Sequence, residues 1–167
     1  LAGDALHQGL ARELKDIDLV ARARQREQAA SLLAREGYEP DEEFNALQGS
    51  RRLLFWDPEH RRQLDVFVER FAMCHEVPLE GRLHEGRPTL HPAELLLTKL
   101  QIVKLNEKDR VDAYAILLHH EVDEHDEQAV NAARVAELCG RDWGLWRTTQ
   151  LTLDRLEAGL AESPLSA

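Results

Sequence analysis

The sequence predicts an α+β fold, in which a small mixed β-sheet core over residues 1–90 precedes a C-terminal helical bundle over residues 91–167. In the first half, apolar and polar residues alternate in several short runs, as they do in half-buried strands. In the second half, apolar residues recur every three or four positions, as they do in amphipathic helices. Prolines and glycines between the halves place the boundary near residues 88–92.

The first half predicts strands around one helix. Residues 15–21 read as a strand, and because side chains alternate along a strand, Asp16 and Asp18 share one face. A helix follows over residues 24–38, and Gly37 is suited to end it. Three further strands are predicted over residues 44–49, 51–57 and 63–71.

The second half predicts four helices. The first begins at Pro92, since proline suits the first helical position, and continues to Leu105. Its apolar residues cover most of its circumference, so we expect it to be buried. Asn106 is expected to cap the next helix. Residues 126–161 predict two more amphipathic helices, separated at Gly140.

Composition limits the classes of function. Hydrophobic residues make up 43% and charged residues 31%, which is typical of a soluble globular protein. No apolar run approaches the ~20 residues of a membrane span and no secretory leader is visible, so we expect a cytoplasmic protein without a membrane partner. The net charge of −10 disfavours a surface devoted entirely to nucleic acid. Two cysteines without a CxxC pair exclude a disulfide scaffold and a cysteine-type zinc site.

Three aspartates on predicted strands are candidate metal ligands. Asp16 and Asp18 point the same way and repel each other unless a cation lies between them, and Asp65 interrupts a later strand. If the two strands pair, three carboxylates meet on one face and can hold one or two Mg²⁺ ions, which prefer oxygen ligands. Such a site can transfer a nucleotidyl group to a hydroxyl, with Asp65 accepting the proton. The alternative is a solvated acidic pair, which is common among 31 acidic residues.

A glycine lies upstream of these aspartates. Gly3 precedes Asp16 by thirteen residues. A glycine that opens a helix lets the backbone approach a phosphate, and the helix N-terminus favours negative charge. The pattern as a whole is more specific than any one of its parts. Those parts are a glycine, a short helix, a strand with Asp-x-Asp and an aspartate on a later strand.

This pattern resembles the nucleotidyltransferase superfamily with the polymerase-β-type minimal core, through the segments LAGD, DID and LDV. Within it the chain is similar, over roughly residues 1–120, to the bacterial AbiEii-type proteins, known as toxins of toxin–antitoxin pairs. The resemblance implies an Mg²⁺-dependent enzyme that transfers a nucleotide from an NTP to a hydroxyl of RNA, protein or a small molecule. It implies that Asp16, Asp18 and Asp65 are the metal ligands and catalytic residues.

The resemblance also implies nucleotide-binding residues and partners. The implied nucleotide-binding residues are Gly3, Asp4, Arg12, Lys15, Lys99 and Lys108. Lys99 would contact the phosphates or base of the nucleotide, although a lysine on an apolar helix can also extend to the surface. An NTP is the implied substrate, tRNA is one candidate acceptor, and an antitoxin is a candidate partner.

Two other classes of function stay open. One is a degenerate nucleotidyltransferase fold that binds nucleotides, or regulates a toxin–antitoxin pair, without catalysis; Asp4 favours it, because the family has glycine or serine there. The other is a helical interaction protein with solvated strand carboxylates, which predicts that Asp65 lies far from Asp16 and Asp18. A histidine metal site is disfavoured, because the adjacent His119 and His120 diverge on a helix.

Overall fold

The computed structural model describes residues 16–84 and 88–161, and it divides the chain into two compact units, with the first ending at Phe71 and the second beginning at Ala72. The described residues contain six α-helices and a mixed β-sheet, so the expected combination of helices and sheet is confirmed.

A four-stranded mixed sheet organises the first unit. Its strands, in spatial order, are β1 (Asp16–Ala21), β4 (Arg62–Val68), β3 (Arg52–Asp57) and β2 (Glu39–Pro40). Strand β1 runs parallel to β4, whereas β3 pairs antiparallel with both β4 and β2. The DID strand therefore pairs with the LDV strand, which is the condition under which the sequence places the three aspartates on one face.

One face of this sheet packs against helix α1 (Arg26–Arg35). The buried core residues of that face are Leu53, Phe55, Leu64 and Val66, with Ile17, Ala21, Ala30, Leu33 and Tyr38 packed around them. Helix α1 is followed by Gly37 with a φ of 91°, the left-handed conformation that ends many helices. Because side chains alternate along a strand, the aspartates of β1 and Asp65 lie on the opposite face.

The strand predicted over residues 44–49 is wrong, because these residues belong to helix α2 (Glu42–Gln48). Asp41 precedes the helix, and its side chain accepts a hydrogen bond from the Phe44 backbone N–H at 2.9 Å. Glu42 and Glu43 then place negative charge at the positive end of the helix dipole. The N-cap aspartate and the acidic first turn therefore outweigh the strand-like FNALQG pattern.

The side chain of Asn45 connects α2 to the sheet. Its amide donates to the Leu54 carbonyl at 3.0 Å and accepts from the Leu54 N–H at 2.7 Å. The short strand β2 pairs only with Phe55 and Trp56 of β3. Asn45 therefore supplies the partner of the Leu54 N–H that a longer β2 would have supplied, while the Leu54 carbonyl also accepts from the Asp41 N–H at 3.0 Å.

The strand predicted over residues 63–71 is interrupted. Strand β4 ends at Val68, Glu69 has a φ of 57°, and strand β5 (Arg70–Ala72) follows. A positive φ is unfavourable for a residue with a side chain, but the Glu69 carboxylate accepts from the Ala23 N–H at 3.1 Å. This hydrogen bond favours the bend at the end of β4.

The second unit is largely helical. Its elements are β6 (Glu76–Pro78), α3 (Pro92–Leu100), α4 (Glu107–His119), β7 (Val122–Asp123), β8 (Val130–Asn131), α5 (Ala132–Arg141) and α6 (Trp143–Ala161). As predicted, Pro92 begins α3, and the Asn106 side chain caps α4 by accepting from the Asp109 N–H at 2.9 Å. None of the helices in the described ranges combines the length and apolar character needed to cross a membrane.

Two helix ends differ from the prediction. Helix α3 stops at Leu100 rather than Leu105, and Val103 is exposed, so the apolar run extends beyond the buried helix. The last two helices separate at Asp142 rather than Gly140, because the Asp142 carboxylate accepts from the Leu145 N–H at 3.0 Å and caps α6. One buried core cluster of this unit consists of Leu96, Leu100, Ala113, Val130 and Leu156.

Replacement of Asn45 tests its role as a substitute for strand pairing. Asn45→Ala leaves the Leu54 N–H without its side-chain partner, so we expect the free energy of unfolding to fall by about 1–3 kcal/mol. Urea denaturation measures this change. Gln48→Ala, at an exposed position of the same helix, is the control, and equal urea midpoints for the two variants would contradict the assignment.

Candidate functional site

The register between β1 and β4 brings two of the predicted aspartates together. Asp18 is the direct partner of Asp65, and Asp16 is the partner of Gln63. Neighbouring strands lie ~4.8 Å apart, so the Asp18 and Asp65 side chains leave adjacent backbones on the same face. The helical interaction-protein hypothesis required Asp65 to be remote from the other two, and this register contradicts it.

The three carboxylates have different environments. Asp16 and Asp18 are exposed on β1, which lies at the edge of the sheet that residues 16–84 form. Asp65 is buried on β4, an inner strand of the sheet. An ionised carboxylate is strongly destabilised by burial unless it is paired and hydrogen-bonded. Asp65 therefore requires partners within the protein, whereas the β1 aspartates are accessible to solvent.

Asp65 has such partners on both oxygens. The Arg52 Nε donates to its Oδ1 at 2.7 Å, and the Gln63 Nε2 donates to its Oδ2 at 2.7 Å. The Arg52 guanidinium also lies 5.7 Å from the ring centroid of Phe44 and 5.1 Å from that of Phe67. These cation–π contacts restrict its position. Asp65 is consequently held by a fixed cation and a side-chain amide.

The arrangement partly fits a divalent cation. All three candidate ligands are carboxylates, the type of donor that Mg²⁺ prefers, and the exposed Asp16 and Asp18 fit as ligands. A carboxylate offers about four acceptor sites, so Asp65 can join them while it keeps its bonds to Arg52 and Gln63. In residues 16–84 and 88–161, however, no three His, Cys, Asp or Glu side chains are grouped closely enough to hold a metal ion.

Sequence reasoning missed Arg52 and Gln63. Gln63 could have been found, because it lies two residues before Asp65 and therefore shares its face. Arg52 could not, because its proximity to Asp65 depends on the register by which β3 pairs with β4. A charged residue at the first position of a neighbouring strand is a weak signal without that register.

The predicted nucleotide-binding residues are not all described. Gly3, Asp4, Arg12 and Lys15 lie outside the residues that the structure describes. Lys99 and Lys108 belong to the second unit, and the Lys108 side chain is exposed on α4.

Lys99 is held by two aspartates of α4. Its Nζ lies 3.1 Å from an oxygen of Asp109 and 2.9 Å from an oxygen of Asp112. The sequence left two alternative roles for this lysine, contact with a nucleotide or extension to the surface. The two ion pairs indicate a third role, in which Lys99 connects α3 to α4. A role in nucleotide binding stays a prediction.

A second polar cluster lies in the other unit, around the fully buried Glu94. The Arg82 Nε and one terminal nitrogen donate to the two Glu94 oxygens at 2.7 and 3.1 Å, and the Arg134 Nε donates at 3.2 Å. Arg82 also donates to both oxygens of Asp126, at 2.8 and 2.7 Å. The buried charges thus satisfy one another, and this cluster supports the fold of the second unit.

The cluster changes the protonation equilibria of its members. Hydrogen bonds from Arg82 hold the pKa of Asp126 far below its usual value, although partial burial acts in the opposite direction. The bonds to Asp126, followed by those to Glu94, raise the pKa of Arg82. Both shifts favour the charged forms at neutral pH.

Comparison with known proteins gave no match. No protein-family model matches the chain, and neither the curated proteins nor the solved structures include one that is significantly similar to it. The arguments for function therefore rest on the residues and contacts of this chain.

The Asp126 pKa predicts a pH dependence of stability. Because the pKa is lowered in the folded state, the stabilisation from Asp126 is present above its unfolded value of 3.8 and is lost as the pH falls below it. We expect Asp126→Asn to be less stable than the native protein at pH 7 and to lose less stability between about pH 5 and about pH 2.

Chemical denaturation at a series of pH values checks this expectation. Asp154→Asn is the control, since Asp154 is an exposed carboxylate on α6 of the same unit. Parallel pH profiles for the native protein and Asp126→Asn would show that the Arg82–Asp126 pair does not contribute to acid sensitivity.

Proposed function

We propose that the chain is an Mg²⁺-dependent nucleotidyltransferase that transfers a nucleotide from an NTP to a hydroxyl group of RNA, protein or a small molecule, with pyrophosphate as the leaving group. The observation that carries the proposal is the parallel register of β1 and β4, with Asp18 beside Asp65 and Asp16 two residues away on the same face. In this proposal the small mixed sheet belongs to a nucleotidyltransferase core over residues 1–90, and the helices from Pro92 onwards belong to the C-terminal region over residues 91–167.

The described residues would have distinct roles in this reaction. The exposed Asp16 and Asp18 would hold the cation. Bound Mg²⁺ would neutralise charge on the triphosphate and favour ionisation of the attacking hydroxyl. Asp65 would accept the hydroxyl proton at an oxygen lone pair not used by Arg52 or Gln63, and those two residues would fix its orientation.

A second candidate is a nucleotide-binding module without catalysis, acting for instance in a toxin–antitoxin pair. The observation that favours it is the occupation of both Asp65 oxygens by hydrogen bonds from Arg52 and Gln63. If those bonds keep Asp65 from the reacting hydroxyl, the exposed pair on β1 can still bind a cation and a nucleotide. The antitoxin and tRNA stay candidate partners in both cases.

Transfer of label from each NTP tests the catalytic proposal. The protein is incubated with labelled ATP, GTP, CTP or UTP and Mg²⁺, with and without tRNA. We expect transfer in the native protein, and a loss of at least about 100-fold in Asp16→Asn and Asp18→Asn, because each removes a ligand of the cation that neutralises the triphosphate. Glu39→Gln is the matched control, since Glu39 is an exposed carboxylate on the other edge strand of the same sheet.

The outcomes separate the two candidates. Transfer that survives in Asp16→Asn would exclude this carboxylate face as the catalytic site. Mg²⁺-dependent NTP binding without transfer, lost in Asp16→Asn and kept in Glu39→Gln, would support the binding module. Absence of NTP binding in the native protein would exclude both candidates.

A further inference from the structure

Asp65 is an expected metal ligand, and yet it already forms an ion pair with Arg52. Asp65 is buried, and the Arg52 Nε lies 2.7 Å from its Oδ1. A guanidinium stays charged at any physiological pH, so this carboxylate already has a permanent cation beside it. The rings of Phe44 and Phe67 flank that cation and oppose its withdrawal.

A permanent cation lowers the affinity of the same carboxylate for a divalent ion. The guanidinium fixes Asp65 in the absence of metal, and it repels the metal at the same time. Even with the dielectric constant of water, repulsion between a divalent ion and a guanidinium roughly 6 Å apart weakens binding about tenfold. The lower effective dielectric constant near a buried carboxylate increases this effect.

We infer that Arg52 is a positioning residue that holds Asp65 in place of a cation and lowers the divalent-cation affinity of the carboxylate face. A metal ion then binds through Asp16 and Asp18, and reaches Asp65 only against the charge of Arg52. This inference rests on the metal site of the proposed function and adds a residue that sets its affinity.

The sheet contains a matched ion pair for comparison. Arg62 Nε lies 3.0 Å from Asp57 Oδ2, and both pairs join β3 to β4. The side-chain exposures are similar, 31% and 6% for Arg62 and Asp57 against 26% and 4% for Arg52 and Asp65. Alternation along the strands puts Arg62 and Asp57 on the face opposite to Asp65. Removal of the Arg62 charge therefore controls for loss of a strand-joining ion pair.

The test compares Mn²⁺ binding to the native protein, Arg52→Gln and Arg62→Gln, measured by the electron paramagnetic resonance signal of free Mn²⁺. We expect the dissociation constant to fall about tenfold or more in Arg52→Gln, because the repelling charge is removed, and to change less than twofold in Arg62→Gln. Arg52→Lys keeps the charge without the planar contacts, so its affinity should stay within about threefold of the native value.

A measurement on the native protein does not depend on how the variants fold. The Nε–H resonance of Arg52 reports its hydrogen bond to Asp65, and that of Arg62 reports the bond to Asp57. We expect added Mg²⁺ to shift the Arg52 resonance, because a divalent charge on the carboxylate face changes the environment of the hydrogen bond between Arg52 and Asp65, and to leave the Arg62 resonance in place.

The outcomes distinguish this inference from the proposed function. Equal or weaker Mn²⁺ binding in Arg52→Gln, or an Arg52 resonance that Mg²⁺ does not move, overturns the role of Arg52 and leaves nucleotidyl transfer standing. Tighter binding without any nucleotidyl transfer supports the role of Arg52 and removes the catalytic proposal. Absence of Mn²⁺ binding in all variants overturns the inference together with the metal dependence of the proposed function.

Discussion

The parallel pairing of β1 with β4 is the constraint on which the candidate site depends. It joins a strand near residue 16 to one near residue 65, and it sets Asp18 opposite Asp65. Because side chains alternate with a period of two, a slip of one residue would move Asp65 away from the aspartates of β1 and turn Leu64 out of the core. Burial of Leu64 and Val66 against α1 therefore also specifies which carboxylates meet.

This pairing creates an electrostatic difficulty that the neighbouring strand relieves. Two exposed carboxylates and one buried carboxylate on one face repel one another. The buried carboxylate is destabilised most, because it has lost its hydration. Arg52 on β3 supplies the opposite charge, and Gln63 supplies a neutral donor to the other oxygen. Both oxygens of the buried Asp65 thus have hydrogen-bond partners within the sheet.

Much of the first unit could be predicted from local pattern alone. The alternation in DIDLVA identified β1 and its polar face, and Gly37 marked the end of the α1 region. Residues 44–49 were wrongly predicted as a strand. The helix that they form is specified by Asp41 and the acidic first turn rather than by the spacing of apolar residues. Apolar periodicity also failed to mark the end of α3.

Contacts across the fold could not be predicted in the same way. The partnership of Arg52 with Asp65 requires the β3–β4 register, and the pairing of Lys99 with Asp109 and Asp112 requires two helices to pack at a particular rotation. Such relationships arise from tertiary packing, to which a single sequence carries only weak local signals.

The two candidate functions differ in whether Asp65 reaches the attacking hydroxyl, but both require a ligand that compensates for the charge of Arg52. A divalent ion alone adds positive charge beside a fixed guanidinium, which is unfavourable. A triphosphate brings several negative charges, which offset that repulsion and attract both cations. On the proposed function, metal and nucleotide therefore bind with positive coupling, since each lowers the electrostatic cost of the other. The same guanidinium that weakens binding of the metal alone would then favour the metal–nucleotide complex, so Arg52 would make occupation of the site depend on the nucleotide.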